Sequence, residues 1–231
     1  MAGTAYTTVH NSLVLYDAEL THRWLDAFGP NVRKYFLVDS YHPDSCTVTA
    51  VNASTITGLA SSLGGGFVFT TAAADNDGVQ MQPLSECFYF GTHYPAYFGA
   101  RFMVTTAANV DAFLGFAIQD TTILAACTDD LGFRIVDNDA ALTFLVEKDS
   151  AETIVDLGDA ANGTYVTVEF YYDGVTTITF YLNGVEMGAV ETSVANLPDD
   201  EHLAPALAVL TGAGGANAMT VKWARWIQIL E

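Results

Sequence analysis

The sequence predicts an all-β protein, a two-sheet antiparallel jelly-roll sandwich that follows a short N-terminal helical arm. Three observations predict it: a two-residue hydrophobic period from about Tyr35 onward, glycine-containing turn dipeptides at its breaks, and a dozen or so short apolar runs. At 231 residues a sandwich commonly forms one unit, and no internal repeat or long linker splits the β region. The expected organisation is an arm over residues 1–33 and a sandwich over 34–231.

The arm is the one region with a helical period. Leu13, Tyr16, Leu20, Trp24 and Phe28 recur at three- and four-residue spacing, Asn11 or Ser12 offers an N-cap, and Gly29-Pro30 ends the run. A lone helix with an aromatic stripe must bury it. Its own sandwich and a neighbouring subunit are equally good covers, and these five residues are the expected contact with such a neighbour.

The strands follow in order. Short apolar runs lie at Phe36-Leu37-Val38, Phe67-Val68-Phe69, Val79-Gln80-Met81, Cys87-Phe88-Tyr89, Phe133-Arg134-Ile135 and 206–210. Phe98, Ala100, Phe102 and Val104 alternate with Tyr97, Gly99, Arg101 and Met103; Leu114, Phe116 and Ile118 repeat the pattern, as do Leu142, Phe144 and Val146. Between Tyr165 and Val190 the dipeptides Asp173-Gly174 and Asn183-Gly184 each suit a two-residue type I′ turn, which predicts a three-stranded meander. The closing run, 219–230, carries Trp223 and Trp226 on opposite faces by parity, so only one indole is expected in the main core.

Composition narrows the partners. With 27 acidic and 8 basic residues the net charge is −19, which repels phosphate backbones and anionic headgroups, so neither nucleic acid nor a membrane is expected. Cys46, Cys87 and Cys127 are odd in number and widely spaced, against a disulfide framework or a structural zinc site. The N-terminus carries no signal-peptide pattern. The uncharged stretch 51–74 is too rich in Ser, Thr and Gly for a lipid-stable helix and is expected to be strand, loop, strand.

The run Tyr165-Val-Thr-Val-Glu-Phe-Tyr-Tyr-Asp-Gly with Phe180-Tyr-Leu-Asn-Gly-Val resembles the closing hairpins of laminin-G-like and concanavalin A-like sandwiches. Asp75-Asn-Asp-Gly-Val-Gln-Met-Gln, Tyr97-Phe-Gly-Ala-Arg-Phe, Phe144-Leu-Val-Glu-Lys-Asp-Ser, Asn196-Leu-Pro-Asp-Asp-Glu and Met219-Thr-Val-Lys-Trp-Ala-Arg look like a group of tailed-phage virion proteins. The resemblance implies a structural protein of the particle surface, a head-decoration protein rather than an enzyme, made in the host cytoplasm. Its partners would be a major capsid protein or other virion protein and copies of itself, gripped through the arm. The same fold hosts lectins and glycosidases.

Tyr165, Tyr171 and Tyr181 have outward parity and are the expected contacts if a glycan binds. Glu147-Lys-Asp149-Ser-Ala-Glu152 matches the Glu-x-Asp-x-x-Glu spacing of laminarinase-type glycosidases, yet Lys148, Ser150 and Ala151 read as a strand end entering a turn, so no catalytic residue is expected. Asp75-Asn76-Asp77-Gly78 and Asp137-Asn138-Asp139 offer hard oxygens for calcium but lack a distal bidentate Glu, and are expected to be turns. The five histidines share no ligand spacing and no phosphate loop or nucleophile elbow is present, so no metal or cofactor is expected.

Overall fold

A computed structural model describes residues 46–59, 65–136, 138–193, 196–212 and 215–228, together with the backbone of three N-terminal strands, Thr4–Val9 (β1), Ser12–Asp17 (β2) and Lys34–Leu37 (β3). The strands that follow are Cys46–Ala50 (β4), Thr55–Gly58 (β5), Phe67–Thr70 (β6), Gly78–Pro83 (β7), Phe88–Tyr89 (β8), Ala96–Val104 (β9), Val110–Ala117 (β10), Asp130–Ile135 (β11), Ala141–Lys148 (β12), Ala151–Asp159 (β13), Val166–Tyr172 (β14), Thr177–Leu182 (β15), Val185–Glu191 (β16), His202–Thr211 (β17) and Ala218–Gln228 (β18). One four-residue helix, Ile123–Ala126 (α1), lies between β10 and β11.

The strands form two antiparallel sheets. Sheet I runs β13-β12-β11-β10-β17-β7-β4 with β8 on β17, and sheet II runs β16-β15-β14-β9-β18-β6-β5 with β3 on β18. Both mix strands distant in sequence, as a jelly roll requires. The expected all-β sandwich is the observed fold, and the stretch 51–74 contains the paired strands β5 and β6.

The inward faces meet in an aromatic core. Phe98 on sheet II stacks on Trp226 at 6.2 Å and on Phe170 at 5.8 Å between ring centroids. Phe116 and Phe144 reach across from sheet I, Phe116 meeting Phe98 at 5.9 Å and Phe144 meeting Phe180 at 4.8 Å. Such pairs add to simple area burial, Phe98 and Phe116 meeting edge to face and the other three pairs stacking. Trp226 is in this core, whereas Trp223 is half-buried beneath the Arg225 guanidinium, so the parity expectation holds.

Three local expectations need correction. Leu13 and Tyr16 fall on β2, paired with β1 from Thr4↔Asp17 to Val9↔Ser12, and are not the first turns of a helix. Thr4, Thr7, Thr8 and Val9 are β-branched, and a hairpin satisfies both backbones where an isolated short helix is marginal. Leu20, Trp24 and Phe28 lie outside the described residues. Asn183-Gly184 makes the two-residue turn, with φ of 50° and 77°, but Asp173-Gly174 does not. There the loop is four residues long because the Asp173 carboxylate accepts from the amides of Val175, Thr176 and Thr177 at 2.7, 2.9 and 3.0 Å. Finally, Ala151–Asp159 is a strand in its own right, folded back from β12 at Asp149-Ser150.

Candidate active site

The outward face of sheet I carries the site. Along the middle of β10 and β17 the outward positions are small or apolar: Phe113, Gly115 and Ala117 on one, Ala204, Ala206 and Ala208 on the other. On β10 and β11, Gly115 and Gly132 are direct partners, packed so that a Cβ on Gly115 would strike the Leu131 carbonyl and the Gly132 Cα. Such a floor lets another segment approach closely. The segment 118–129 does so, laying α1 across β10 and β17, with Ile123 buried against Phe113, Ala117, Ala206 and Ala208.

Two glutamines on β7 fix this strap. Gln82 donates from Nε2 to the Ile118 carbonyl at 2.8 Å and accepts from the Asp120 N–H at 3.2 Å. Gln80 donates to the Asp120 carbonyl and accepts from the Ile123 N–H at 3.1 Å. Each side-chain amide spends both a donor and an acceptor on the strap's backbone, which would otherwise be buried unpaired.

Beside the strap stands a row of acids. Asp130 on β11 is the partner of Glu147 on β12, which is the partner of Glu152 on β13. Direct cross-strand partners hold their Cβ atoms about 5 Å apart, so the three carboxyls share one face in a line across three strands. Asp130 is 3% exposed and Glu147 6%. Arg134, two pleat repeats further along β11, meets Glu152 at 2.9 Å. With Phe113, Cys127, Ser150 and α1 they line a cleft of about 290 Å³.

Burial sets the electrostatics. Desolvation, reinforced by the Glu147 charge, lifts the Asp130 carboxyl to about 8. Burial also raises Glu147, helped by Glu152 and opposed by Arg134. The buried Asp130 Oδ1 has no hydrogen-bond partner among the described residues. Desolvation and the neighbouring Asp130 push the Cys127 thiol up to about 12, which keeps it a packing group and not a nucleophile. The arrangement therefore holds a proton on Asp130 at neutral pH and favours the protonated form of Glu147, beside a Glu152 carboxylate paired with a guanidinium, the division needed for acid–base work.

The structure places the other candidates elsewhere. The Glu147 to Glu152 motif is a hairpin: Asp149 and Ser150 form its turn with φ of 51° and 64°, and the two glutamates face each other across it. The expected turn is there, but pairing, which the linear spacing hid, brings the glutamates together, and Asp130 completes the row from a strand 17 residues upstream of Glu147. Its only trace in the sequence is an acid at a strand start, Thr128-Asp129-Asp130-Leu131. Tyr171 and Tyr181 lie half-buried on the outward face of sheet II with Tyr165 just before β14. That is the opposite side of the molecule from the acids, and Arg101 and Lys222 both stand over the Tyr165 ring, at 5.5 and 5.4 Å. Asp77 of the first Asx cluster accepts from the Asn52 side chain and the Ala74 N–H, as a turn residue does.

No protein-family model and no curated protein matches the sequence. Solved structures do match in fold. An endo-1,3-beta-glucanase from Streptomyces sioyaensis superposes with a TM-score of 0.60 at 11% identity, over 87% of this chain and 98% of that one. A glycoside hydrolase family 16 endo-glucanase from Bacteroides ovatus gives 0.57 at 11%, over 83% and 99%. An endo-beta-1,4-glucuronan lyase from Trichoderma reesei gives 0.55 at 10%, over 85% and 95%. At such identities the likeness establishes the concanavalin-like sandwich. It also corrects two expectations: these neighbours are two glucanases and a glucuronan lyase and none of the three is a phage component, so the head-decoration reading and the non-enzyme reading do not stand. The sequence pieces behind them are single strands, turns and a loop of the sandwich, and a sandwich does not carry its function with it.

Proposed function

We propose that this protein is a glycoside hydrolase that cleaves a neutral polysaccharide, with Glu147 as its acid and base and Glu152 as its nucleophile. The observation that supports it is the row Asp130, Glu147, Glu152 on adjacent strands at the edge of a cleft. Direct cross-strand partners, with Cβ atoms about 5 Å apart, can bring their carboxyls to the separation of a retaining pair, in which one group protonates the leaving oxygen and the other attacks the anomeric carbon.

Each residue has a role in this reading. Glu147, its carboxyl raised by burial and by Glu152, gives its proton to the glycosidic oxygen as the bond to the anomeric carbon breaks. The Glu152 carboxylate, oriented by Arg134 at 2.9 Å, forms the glycosyl ester. Glu147, now ionised, takes a proton from the water that hydrolyses the ester, and both residues return to their starting states. Asp130 positions this pair: neutral below about pH 8, it adds no charge beside Glu147 when the latter ionises.

The substrate class follows from charge. A chain of net charge −19 repels a polyuronate, and Arg134, the cation in the cleft lining, is already paired with Glu152, so a neutral glucan is favoured over alginate or glucuronan. The test is release of reducing sugar from a panel of neutral and acidic polysaccharides. Release from a neutral polymer, falling by about 10²–10⁴-fold in Glu147→Gln with the fold retained, is the expected result. No release from any member, or an undiminished variant, overturns the proposal.

A further inference from the structure

We infer that the strap makes the cleft blind, so that a glycan enters end-first and is cut from its terminus; this rests on the hydrolase reading above. The acid row is walled on two sides by one segment. Across the strands, α1 occupies β10 and β17, the next positions in sheet I after the β11 that carries Asp130. Along the strands, the hairpin turn beyond Glu147 is tied to the same segment, the Ser150 N–H donating to the Thr128 carbonyl at 2.9 Å and the Asp149 N–H to the Asp129 carboxylate at 3.2 Å.

The obstruction is built into the sheet. Beyond α1 the outward face opens again as a second hollow of about 190 Å³, lined by Thr49, Val51, Gly78, Thr122 and Leu210 among others. Without the strap, the two hollows would lie along one face of the same sheet, from β13 to β4. Gln80 and Gln82 rise from β7 between them and hold the strap down, with Gln119 donating to the Pro83 carbonyl at 2.7 Å as a third tie. A polymer laid across the strands meets Leu124 and Ala125, which line both hollows, where its next sugar would sit. Gln80 and Gln82 are thus positioning residues for specificity: they touch the strap, and the strap sets how much glycan the acids can reach.

The experiment follows reducing ends and solution viscosity together on a soluble neutral β-glucan. The wild-type protein should release reducing sugar with little loss of viscosity, because removing terminal units shortens each chain slowly. Gln80→Ala/Gln82→Ala, with its fold checked by circular dichroism, should lower viscosity several-fold more per bond cleaved, because internal bonds become reachable. Wild-type viscosity falling in step with bond cleavage overturns the inference and leaves the hydrolase reading intact. A double variant with an unchanged ratio shows that the strap is not the barrier. No release by either protein removes the hydrolase reading, and this inference with it.

Discussion

Asp130 is the residue whose ionisation the fold alters most clearly. Its carboxyl moves from an ordinary 3.8 to about 8 on burial, so between those values the folded state holds a proton that the unfolded chain has lost. The resulting stabilisation is fully present below the lower value and is lost as pH rises through the higher one, at up to about 1.4 kcal/mol per pH unit. Urea unfolding at pH 5 and pH 8 should therefore show the wild type losing more stability than Asp130→Asn over that interval. Equal losses would mean that Asp130 is ionised in the folded protein. Phe98 is a second single-residue case, stacked between Trp226 and Phe170 and touching Phe116 from the opposite sheet. Phe98→Ala leaves a cavity at the centre of the sandwich and should cost about 3–5 kcal/mol in denaturant unfolding.

The hairpin between β12 and β13 shows how an element can hide a site. Asp149 and Ser150 both take the left-handed conformation that glycine and asparagine tolerate best, at a cost that their backbone ties to Thr128 and Asp129 offset. Replacing the pair by Asn-Gly should raise stability by about 1 kcal/mol, read as a higher urea midpoint, and leave the Glu147–Glu152 pairing in place. The sequence carried the turn but not the pairing: Ala151, Glu152, Thr153 and Ile154 alternate too weakly to announce a strand, since β13 is a sheet edge with one face in solvent. The strap was equally hidden. Ile123-Leu124-Ala125-Ala126 is too short for a helical period to register, and its role depends on small residues of β10 and β17 that are far away in sequence. In Gln80→Ala/Gln82→Ala the amides of α1 and its flanks should exchange faster while β9 and β18 stay protected, because only local bonds are lost.

At the scale of the molecule, what was legible was what local chemistry dictates. Alternation gave β9, β10 and β12, Asn183-Gly184 gave the β15–β16 turn, and the parity of Trp223 and Trp226 assigned one indole to the core. The helical spacing of Leu13 and Tyr16 misled, because those apolar residues fit a strand as well, and long-range pairing with Thr4–Val9 decides between them. Function was legible least of all, because the acid row is made by sheet register across three strands, which no linear motif records. The charge of −19 has its own consequence: self-repulsion should relax with added salt, raising the melting temperature by about 2–4 °C for each kcal/mol recovered between low and moderate ionic strength.

The acid row can be tested where the chemistry occurs. A neutral substrate carrying fluorine at C2 slows breakdown of a glycosyl ester, so the ester should accumulate and be mapped by mass spectrometry of the digested protein. The account predicts a sugar mass on the peptide containing Glu152, absent from Glu152→Gln. Cleavage of a neutral glucan with the label on any other residue, or with no loss of rate in Glu147→Gln, would contradict it.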